Sequence, residues 1–363
     1  MKEFQSLTVV EQLVNHLRDE LHSGSFAGTM PGVLRLERDL GVNRKTVEAA
    51  LQQLEVQGFL ESQGPGRRRR IVIPEATQAT GQRVGVLLYD RYARGEGYMI
   101  DLVHRLEHAG HLVVRTDRTL TELRMNVSRV AAMVEEVKAD AWVVQSGSYD
   151  VLRWFAQRST PTFAMFGRRR GAGLAGGGPE KPPAVREAVR KLVALGHRRI
   201  VMLARSERRV PRPGASEQAF LDELESAGIA TTAYHFPDWD DHPEGLRRIL
   251  GSMMSASRPT AIFVDTAELY FGVEQVLLRH GVRVPEDISL ICSDGDPYFE
   301  WCRPTVAHIQ WNPAPLVRRI VRWAGKIGLG KDDRRQISIR ATFVPGGTIG
   351  PAPRERRRQL KGL

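Results

Sequence analysis

The chain has 363 residues, of which 42% are apolar and 26% are charged. This balance is that of an ordinary globular protein and excludes disordered and collagen-like chains. At about 100–200 residues per domain, the length suggests two or three domains. The 53 basic and 42 acidic residues leave a net charge of +11, which suits a partner that carries phosphates but says nothing of the fold.

Signals for export and for membrane insertion are missing from the sequence. No run of about 18 apolar residues occurs, and the N-terminus lacks the basic-then-apolar pattern of a secretory signal. Cys292 and Cys302 are too few for a disulfide framework or for a zinc site of four cysteines. We therefore expect a cytoplasmic protein.

The N-terminal part shows three helical patterns followed by a hairpin pattern. The predicted helices span residues 7–22, 33–42 and 44–58, and the predicted strands span 59–62 and 69–73. Gly41 ends the second helix, and Asn43 is the predicted N-cap of the third. This order of elements predicts a winged helix-turn-helix.

The third helix is the predicted DNA reader, because a major groove admits one helix whose first residues reach base edges. The free N–H groups of its first turn also attract phosphates. The arginines at 67–70 would reach the backbone or the minor groove, although such a run is also typical of a solvated loop. The candidate DNA-binding residues are Arg35, Asn43, Arg44, Lys45, Thr46, Gly66, Arg67 and Arg68.

One continuous stretch in this region carries a family pattern. Its matching positions are Pro31, Leu36, Leu40-Gly41-Val42, Arg44, Thr46-Val47, Ala50-Leu51, Leu54, Gly58 and Gly64-x-Gly66. The stretch resembles the DNA-binding domain of the GntR family, which implies a dimer on palindromic operator DNA. Leu34 and Glu48 stand where that family usually has arginines that touch DNA. The resemblance therefore leaves the base contacts open, with Arg35 and the arginine-rich wing as candidates to compensate.

The remaining sequence divides into a linker, a long α/β region and a tail. Residues 76–82 are small and polar, and residues 350–363 are basic. Between them, over 83–349, buried strands alternate with amphipathic helices, which predicts parallel sheets with helices on both faces. This length is enough for two lobes that bind an effector between their strand ends. We expect an α/β fold with an N-terminal winged helix over residues 1–75 and a two-lobed effector-binding and dimerisation region.

Four segments of the α/β region carry a second family pattern. They are LGHRRI at 195–200, RPTAIFVD at 258–265, GVRVPEDISLICSDGD at 281–296 and RPTVAHIQWNP at 303–313. They resemble the effector domain of the lactose-repressor type, which is similar to bacterial sugar-binding proteins. A GntR-type head joined to such a body implies a carbohydrate-responsive transcription regulator, with a sugar-like effector as its small-molecule partner.

Sugar pockets need carboxylates and amides for hydroxyl groups and an aromatic face for C–H surfaces. The candidate effector-binding residues are Asp90, Arg91, Gln145, Ser146, Arg168, Trp239, Asp265, Thr266 and Asp294, most of them at predicted strand ends. The resemblance implies a ligand-binding carboxylate at Asp294 and a stacking aromatic at Trp239. Each strand-end residue is also a candidate for a cap or a loop hydrogen bond.

Departures from the second family pattern leave the effector open. Ser216 stands where that family has an arginine, and Thr266-Ala267 replaces an Asn-Asp pair. The standard grip on a hexose is therefore largely absent. The alternatives are an unusual sugar, a sugar acid held by Arg91 or Arg168, or no ligand at all.

Two other patterns carry weaker signals. His104, His108 and His111 share a helical region and suggest a metal, but no acidic or cysteine ligand follows at zinc spacing, so a solvated helix face is the expected reading. The glycine-rich residues 171–178 lack the Gly-Lys-Ser/Thr of a phosphate-binding loop. They predict a flexible loop. We expect neither a metal nor a cofactor.

The sequence favours a dimeric regulator, acting as a repressor, whose operator binding is controlled by a small molecule. Effector binding would close the body and change the spacing of two recognition helices. One alternative is an enzyme acting on a sugar or nucleotide with a DNA-targeting head, since many α/β folds host enzymes. No nucleophile, metal or phosphate-loop motif supports it. Another alternative is a DNA-binding protein whose effector pocket no longer functions.

Overall fold

The computed structural model describes residues 8–22, 26, 28–64, 66–72 and 81–353. They divide into two compact units: unit 1 lies within Met1–Gly178 and Pro313–Ile337, and unit 2 lies within Pro179–Asn312 and Ser338–Leu363. Most of the predicted linker and of the basic tail lies outside the described residues. The domain bounds expected from the sequence stay a prediction.

Unit 1 begins with three helices and a short antiparallel hairpin. These elements are α1 (Val9–His22), α2 (Val33–Leu40), α3 (Arg44–Val56), β1 (Leu60–Glu61) and β2 (Arg70–Ile71). At the start of α1 the Thr8 backbone N–H donates to Glu11 at 2.7 Å, and the Glu11 N–H donates back to the Thr8 hydroxyl at 3.2 Å. Gly41 ends α2 in the left-handed conformation, at φ +65°. All five elements match the sequence pattern, with bounds shifted by at most two residues.

These helices are held by one small apolar core. Leu17, Val47, Leu51 and Leu54 are each at most 1% exposed. Leu13, Leu17 and Leu21 on α1, like Val47, Leu51 and Leu54 on α3, recur at intervals of three or four, so one face of each helix turns inward. Burying each such side chain contributes about 1.5–3 kcal/mol. The opposite face of the first turn of α3 is left for solvent.

From residue 83 onward, strands and helices alternate. The first part contains β3 (Arg83–Leu87), α4 (Gly97–His108), β4 (Leu112–Arg115), α5 (Val127–Val137), β5 (Ala141–Gln145), α6 (Tyr149–Ala156), β6 (Thr162–Met165) and β7 (Ala175–Glu180). The second part contains α7 (Pro182–Ala194), β8 (Ile200–Leu203), α8 (Ser206–Arg209), α9 (Ala215–Ser226), α10 (Pro243–Ala256), β9 (Ala261–Val264), α11 (Ala267–Arg279), β10 (Ser289–Cys292), β11 (Ala307–Trp311), α12 (Ala314–Gly328) and β12 (Gln336–Val344).

The sheet of unit 1 is parallel and has the strand order β4-β3-β5-β6-β7. The chain passes from β3 to β4 on one side and then to β5 on the other, so the order reverses between β3 and β5. In open α/β sheets, ligands bind outside the carboxyl ends of the strands at such a reversal. The residues that follow β3 and β5 are therefore the first candidates for a site in unit 1.

The sheet of unit 2 has the order β12-β11-β10-β9-β8, with β12 antiparallel to β11 and the other pairs parallel. On the free side of β8, the Met202 N–H donates to the His235 carbonyl at 2.8 Å. The chain thus runs from β8 to one side and then returns to β9 on the other. The reversal in unit 2 falls between β8 and β9, and it points to the residues after these strands.

The glycine-rich stretch was predicted as a flexible loop, and this is wrong for its second half. Residues 175–178 begin β7, which pairs with β6. A Cβ placed on Gly177 would lie 2.5 Å from Leu316 Cδ1 and 2.9 Å from Ile337 Cγ1. The strand needs glycine here because helix α12 and the start of β12 approach its backbone closely. The sequence also gave no prediction for α10, α12, β11 or β12.

Candidate functional site

The first turn of α3 presents the predicted DNA-reading residues. Asn43, Arg44 and Lys45 are exposed, while Thr46 is half-buried. The Asn43 side-chain oxygen accepts the Thr46 backbone N–H at 2.9 Å and the Thr46 hydroxyl at 3.0 Å, as predicted for an N-cap. Arg44 is held by Glu48, whose carboxylate lies 2.8 Å from Arg44 Nε. Glu48, which departs from the GntR pattern, therefore pairs with Arg44 one helical turn earlier.

The arginines of the hairpin divide into two kinds. Arg69 Nε lies 2.5 Å from a Glu55 carboxylate oxygen, and Arg70 Nε lies 3.8 Å from Glu61. These two side chains therefore help to fasten the hairpin. Arg67 and Arg68 are exposed, as are Gly66 at the tip and Arg35 on α2, which pairs with Asp39 at 3.3 Å. The exposed members are the ones able to meet a phosphate backbone.

The strand ends of unit 1 are organised by a buried amide. Gln145, the last residue of β5, is 4% exposed. Its Oε1 accepts the Tyr89 backbone N–H at 3.1 Å, and its Nε2 donates to the Tyr98 hydroxyl oxygen at 2.9 Å. Gln145 was predicted to contact the effector. In this structure it fixes the loop after β3 and the ring of Tyr98.

An aromatic pair and two unusual backbone conformations lie at the same edge. Tyr98 and Phe166 meet edge to face, with ring centroids 5.8 Å apart. Ser146 and Phe166, which follow β5 and β6, have φ values of +53° and +63°. Non-glycine residues pay for this conformation, and such positions cluster at binding sites. The edge therefore offers an aromatic surface beside a constrained turn, and Ser146 is one of the predicted contacts.

The charged candidates of unit 1 have local partners. The Asp90 side chain accepts the Ala93 backbone N–H at 3.0 Å, which is the loop role considered for strand-end residues. Arg91 is 78% exposed and pairs with Glu122. Arg168 donates its backbone N–H to the Gly147 carbonyl at 3.4 Å. Asp90 and Arg168 are half-buried, whereas the charged group of Arg91 lies at the surface.

The strand ends of unit 2 are charged. Asp265 follows β9 and is 4% exposed; its Oδ2 accepts the Arg205 backbone N–H at 3.4 Å and lies 3.9 Å from Arg208 Nε. Burial acts to raise the pKa of Asp265, but the positive charges of Arg208 and Arg205 outweigh it and the pKa is lowered. Asp265 is thus a carboxylate at neutral pH, at the point where the strand order reverses.

A second buried carboxyl group stands beside this pair. Glu217, in the first turn of α9, is 2% exposed, and its Oε2 has no hydrogen-bond partner among the described residues. Burial raises its pKa against the opposing charge of Arg208. A Cβ on Gly214 would lie 2.3 Å from this oxygen, so the glycine leaves room for the carboxyl group in its present position. Glu217 is held close to charged groups without satisfying its own oxygen.

Asp294 and Thr266 complete the edge of unit 2. Asp294 follows β10, is 39% exposed, and lies 3.2 Å from the ammonium group of Lys181, which is 9% exposed. Its exposure is what a ligand-binding carboxylate requires. The Thr266 hydroxyl accepts the Leu269 backbone N–H at 3.4 Å and caps α11. The cap explains the presence of threonine without a ligand.

Trp239 does not have the exposure expected of a stacking aromatic. It is 8% exposed, lies in the core of unit 2, and donates its indole N–H to the Ala204 carbonyl at 3.0 Å. The Arg209 guanidinium lies 5.8 Å from the ring centroid and donates to the Trp239 carbonyl at 2.6 Å. The interpretation of Trp239 as a sugar platform is corrected to a packing role.

Several residues at these edges were not predicted from the sequence. They are Tyr98 and Phe166 in unit 1, and Lys181, Arg205, Arg208 and Glu217 in unit 2. Arg205 lies two residues after β8, so the strand-end rule applied to that strand would have found it, whereas Arg208 lies on α8. Lys181 directly follows β7, a strand that the sequence pattern did not predict. Glu217 follows no strand, because it lies in the first turn of α9.

The described residues contain no group of three His, Cys, Asp or Glu side chains placed to hold a metal ion. His104 and His108 are exposed on α4, whereas His111 is 4% exposed and accepts the Gln82 backbone N–H at 3.3 Å. Burial lowers the pKa of His111. In the part of the chain that the structure describes, no helix has the length and hydropathy needed to cross a membrane.

Comparison with known proteins identifies the fold. Residues 189–349 match the family model of the periplasmic binding protein-like domain. A LacI family transcriptional regulator from Enterococcus faecium with bound ribose superimposes with a TM-score of 0.59 at 17% identity, covering 74% of this chain and 99% of that chain. The transcriptional regulator CelR in complex with cellobiose gives 0.61 at 16% identity, covering 88% and 100%. The chain therefore has an α/β fold of the periplasmic-binding-protein type.

The sequence is also similar to the HTH-type transcriptional repressor CytR of Escherichia coli K12. The two are 27% identical over 124 residues, which is 34% of this chain and 36% of CytR. The match thus spans about a third of each protein.

Proposed function

We propose that this protein is a transcriptional repressor that binds operator DNA as a dimer and is controlled by a sugar-like effector. The proposal rests on the combination of two features in one chain. The first turn of α3 exposes Arg44 and Lys45, and the α/β region has the fold found in LacI family regulators. We assign the N-terminal segment to the winged helix-turn-helix of the GntR type, because a hairpin with exposed Arg67 and Arg68 follows α3.

The proposed DNA contacts divide into base-reading and phosphate-binding groups. The first turn of α3 supplies the base contacts, since only side chains there reach into a major groove. Arg35, Arg67 and Arg68 supply phosphate contacts, which position the protein but carry no sequence information. Glu48 competes for Arg44 at 2.8 Å and places a negative charge near the DNA. We therefore infer that Glu48 weakens DNA binding of the native chain.

DNA binding is tested with a duplex selected from a random-sequence library and measured by fluorescence anisotropy at one moderate salt concentration. Arg44→Ala is expected to weaken the selected duplex by about 1–3 kcal/mol and random DNA less. Arg67→Ala is expected to weaken both alike. Glu48→Gln is expected to tighten binding. Arg279→Ala, an exposed arginine on α11, is the matched control and should change neither. Failure to select any sequence would overturn the proposal.

The edge of unit 2 supports an uncharged, hydroxyl-rich effector. Lys181, Arg205 and Arg208 face Asp265, Asp294 and Glu268 in pairs 3.2–3.9 Å apart. In these pairs three cations balance three carboxylates, and Glu217, whose pKa is raised by burial, is a further carboxyl group at the same edge. A ligand whose hydroxyl groups both donate and accept suits alternating charges, whereas a sugar acid would add an uncompensated charge. The aromatic edge of unit 1, with Tyr98 and Phe166, is a second candidate contact surface.

A thermal-shift panel tests the effector class. The panel pairs ribose, glucose and cellobiose with gluconate and glucuronate. A neutral sugar is expected to raise the melting temperature, because a ligand at 100 times its dissociation constant adds about 2.7 kcal/mol of stability. Asp294→Asn should abolish the shift, and Asp332→Asn, an exposed control in unit 1, should keep it. A shift only with the acids contradicts the assignment of an uncharged effector, and no shift at all contradicts effector control by these sugars.

A further inference from the structure

Helix α1 has a second contact besides the core of the N-terminal segment. Its apolar side, with Leu17 and Leu21, packs toward α3. On another side it meets α12, where Glu20 Oε1 lies 3.8 Å from Arg318 Nε. Glu20 is 13% exposed and Arg318 is 34% exposed. A partly buried pair of this kind is worth more than one in open solvent, because water screens it less.

Helix α12 is a firm base for such a contact. Arg319, the neighbour of Arg318, points inward and lies 2.8 Å from Asp333, with both side chains at most 7% exposed. Arg335 and Lys326 also pair with Asp333, at 3.0 Å and 3.5 Å. The two neighbouring arginines thus point to different sides of α12. Arg319 pairs with Asp333 inside the α/β body, and Arg318 pairs with Glu20 on α1.

The contact leaves the DNA-reading residues accessible. Arg44 and Lys45 are exposed in the same structure in which Glu20 and Arg318 are paired. Docking of α1 on α12 therefore does not cover the first turn of α3. It fixes the direction in which that turn faces relative to the body of unit 1. A dimer that must place two helices in two half-sites loses less conformational freedom on binding if each helix is already oriented.

We propose that α1 and α12 form an intramolecular docking surface, closed by Glu20 and Arg318, that orients the DNA-binding segment on unit 1. The docking itself is inferred from the contact between α1 and α12 within unit 1. Its consequence for DNA binding rests on the proposed function.

Charge exchange in the full-length chain tests the docking directly. The variants are Glu20→Arg, Arg318→Glu and the double exchange, with Glu136→Arg on the exposed face of α5 as the matched control. Hydrogen exchange is measured without DNA. Each single variant is expected to exchange faster over 9–22 and 314–328, and the double exchange is expected to restore protection. Unchanged protection in both single variants, or loss of protection that the double exchange does not restore, overturns the docking.

Anisotropy with the selected duplex then tests the consequence. Each single variant is expected to weaken binding to a two-half-site duplex by about three- to tenfold, which corresponds to a coupling of about 0.7–1.4 kcal/mol. Binding to a single half-site should be unchanged, and the double exchange should restore the two-half-site affinity. Equal effects on both duplexes, or no effect on either, overturn the orienting role. Failure to select any DNA overturns the proposed function and this role together, while hydrogen exchange still decides the docking.

Discussion

The two units share an architecture but differ in the chemistry of their strand ends. In unit 1 the edge at the strand reversal is built from an amide and two rings, with Gln145 bonded to Tyr98 and Tyr98 against Phe166. In unit 2 the equivalent edge is built from ion pairs, including Asp265 with Arg208. The sheet determines where side chains converge, and the loops determine what they are.

The same contrast holds for the buried carboxyl groups. Asp333 in unit 1 has three cationic partners, which overcome its burial and lower its pKa. Glu217 in unit 2 has an oxygen without a hydrogen bond, and burial raises its pKa. A buried charge with partners is costly to break and holds its neighbours in place, whereas a buried polar group without a partner costs stability and calls for an explanation such as a site. The difference assigns Asp333 to folding and Glu217 to the binding edge.

Replacing Asp333 tests the scaffold side of this comparison and should have the largest effect. Asp333→Asn keeps the shape of the side chain but leaves the Arg319 guanidinium without its carboxylate partner in the interior. Removing one partner of a buried pair costs about 3–5 kcal/mol, so the free energy of unfolding from urea titration should fall by that amount.

The neighbouring Asp332 is the control for that substitution. Asp332 and Arg334 pair at 3.0 Å, but both side chains are at least 70% exposed. Asp332→Asn should change the free energy of unfolding by less than about 1 kcal/mol. Equal effects of the two substitutions would contradict the role given to burial.

The substitution Gly177→Ala tests how closely β7 packs against α12 in unit 1. Gly177→Ala places a Cβ 2.5 Å from Leu316 Cδ1, so β7 and α12 must move apart. Overpacking of this kind costs about 1–3 kcal/mol, measured by the same urea titration. Gly251→Ala on α10 is the control: no atom lies within 4 Å of its Cβ, and a helical alanine should add about 0.5–1 kcal/mol of stability. A tolerated Gly177→Ala would show that β7 does not need its glycines.

Much of the fold could be predicted from local patterns. The capping side chain of Asn43 and the left-handed Gly41 follow directly from residue type, and both are present. Helix α12 received no prediction, although Leu316, Ile320 and Trp323 recur at helical spacing along its buried face. Arg319 is buried because Asp333, which lies outside the helix, neutralises its charge. This pairing depends on the tertiary structure and is not visible in the local sequence. Strand β7 was missed because glycine usually marks a loop.

Residues of the candidate site could be predicted where they follow a predicted strand. Asp265 and Asp294 follow buried strands, and both lie at the charged edge of unit 2. Trp239 was misassigned because an aromatic in a loop gives no signal for burial. Glu217 was missed because it lies in the first turn of α9 and follows no strand. Polar groups brought together from distant segments are specified by packing, which no local pattern records.

The smallest expected effect is the contribution of Glu217 to the pH dependence of the free energy of unfolding. Its pKa is raised in the folded state, so folding favours the protonated form. That contribution is fully present below the ordinary pKa of a glutamate and is lost as the pH rises through the folded value. The native chain should therefore lose stability relative to Glu217→Gln across this window, by at most about 1.4 kcal/mol per pH unit for one proton.

The measurement is the difference in free energy of unfolding between the native chain and Glu217→Gln at several pH values, which cancels the titration of groups common to both. Glu187→Gln, at an exposed position on α7, is the matched control and should show a difference that does not grow with pH. If the native chain instead gained stability relative to Glu217→Gln as the pH rose, Glu217 would be a satisfied carboxylate like Asp333. The two units would then bury their charges for the same reason, and the edge of unit 2 would have no strained group to offer a ligand.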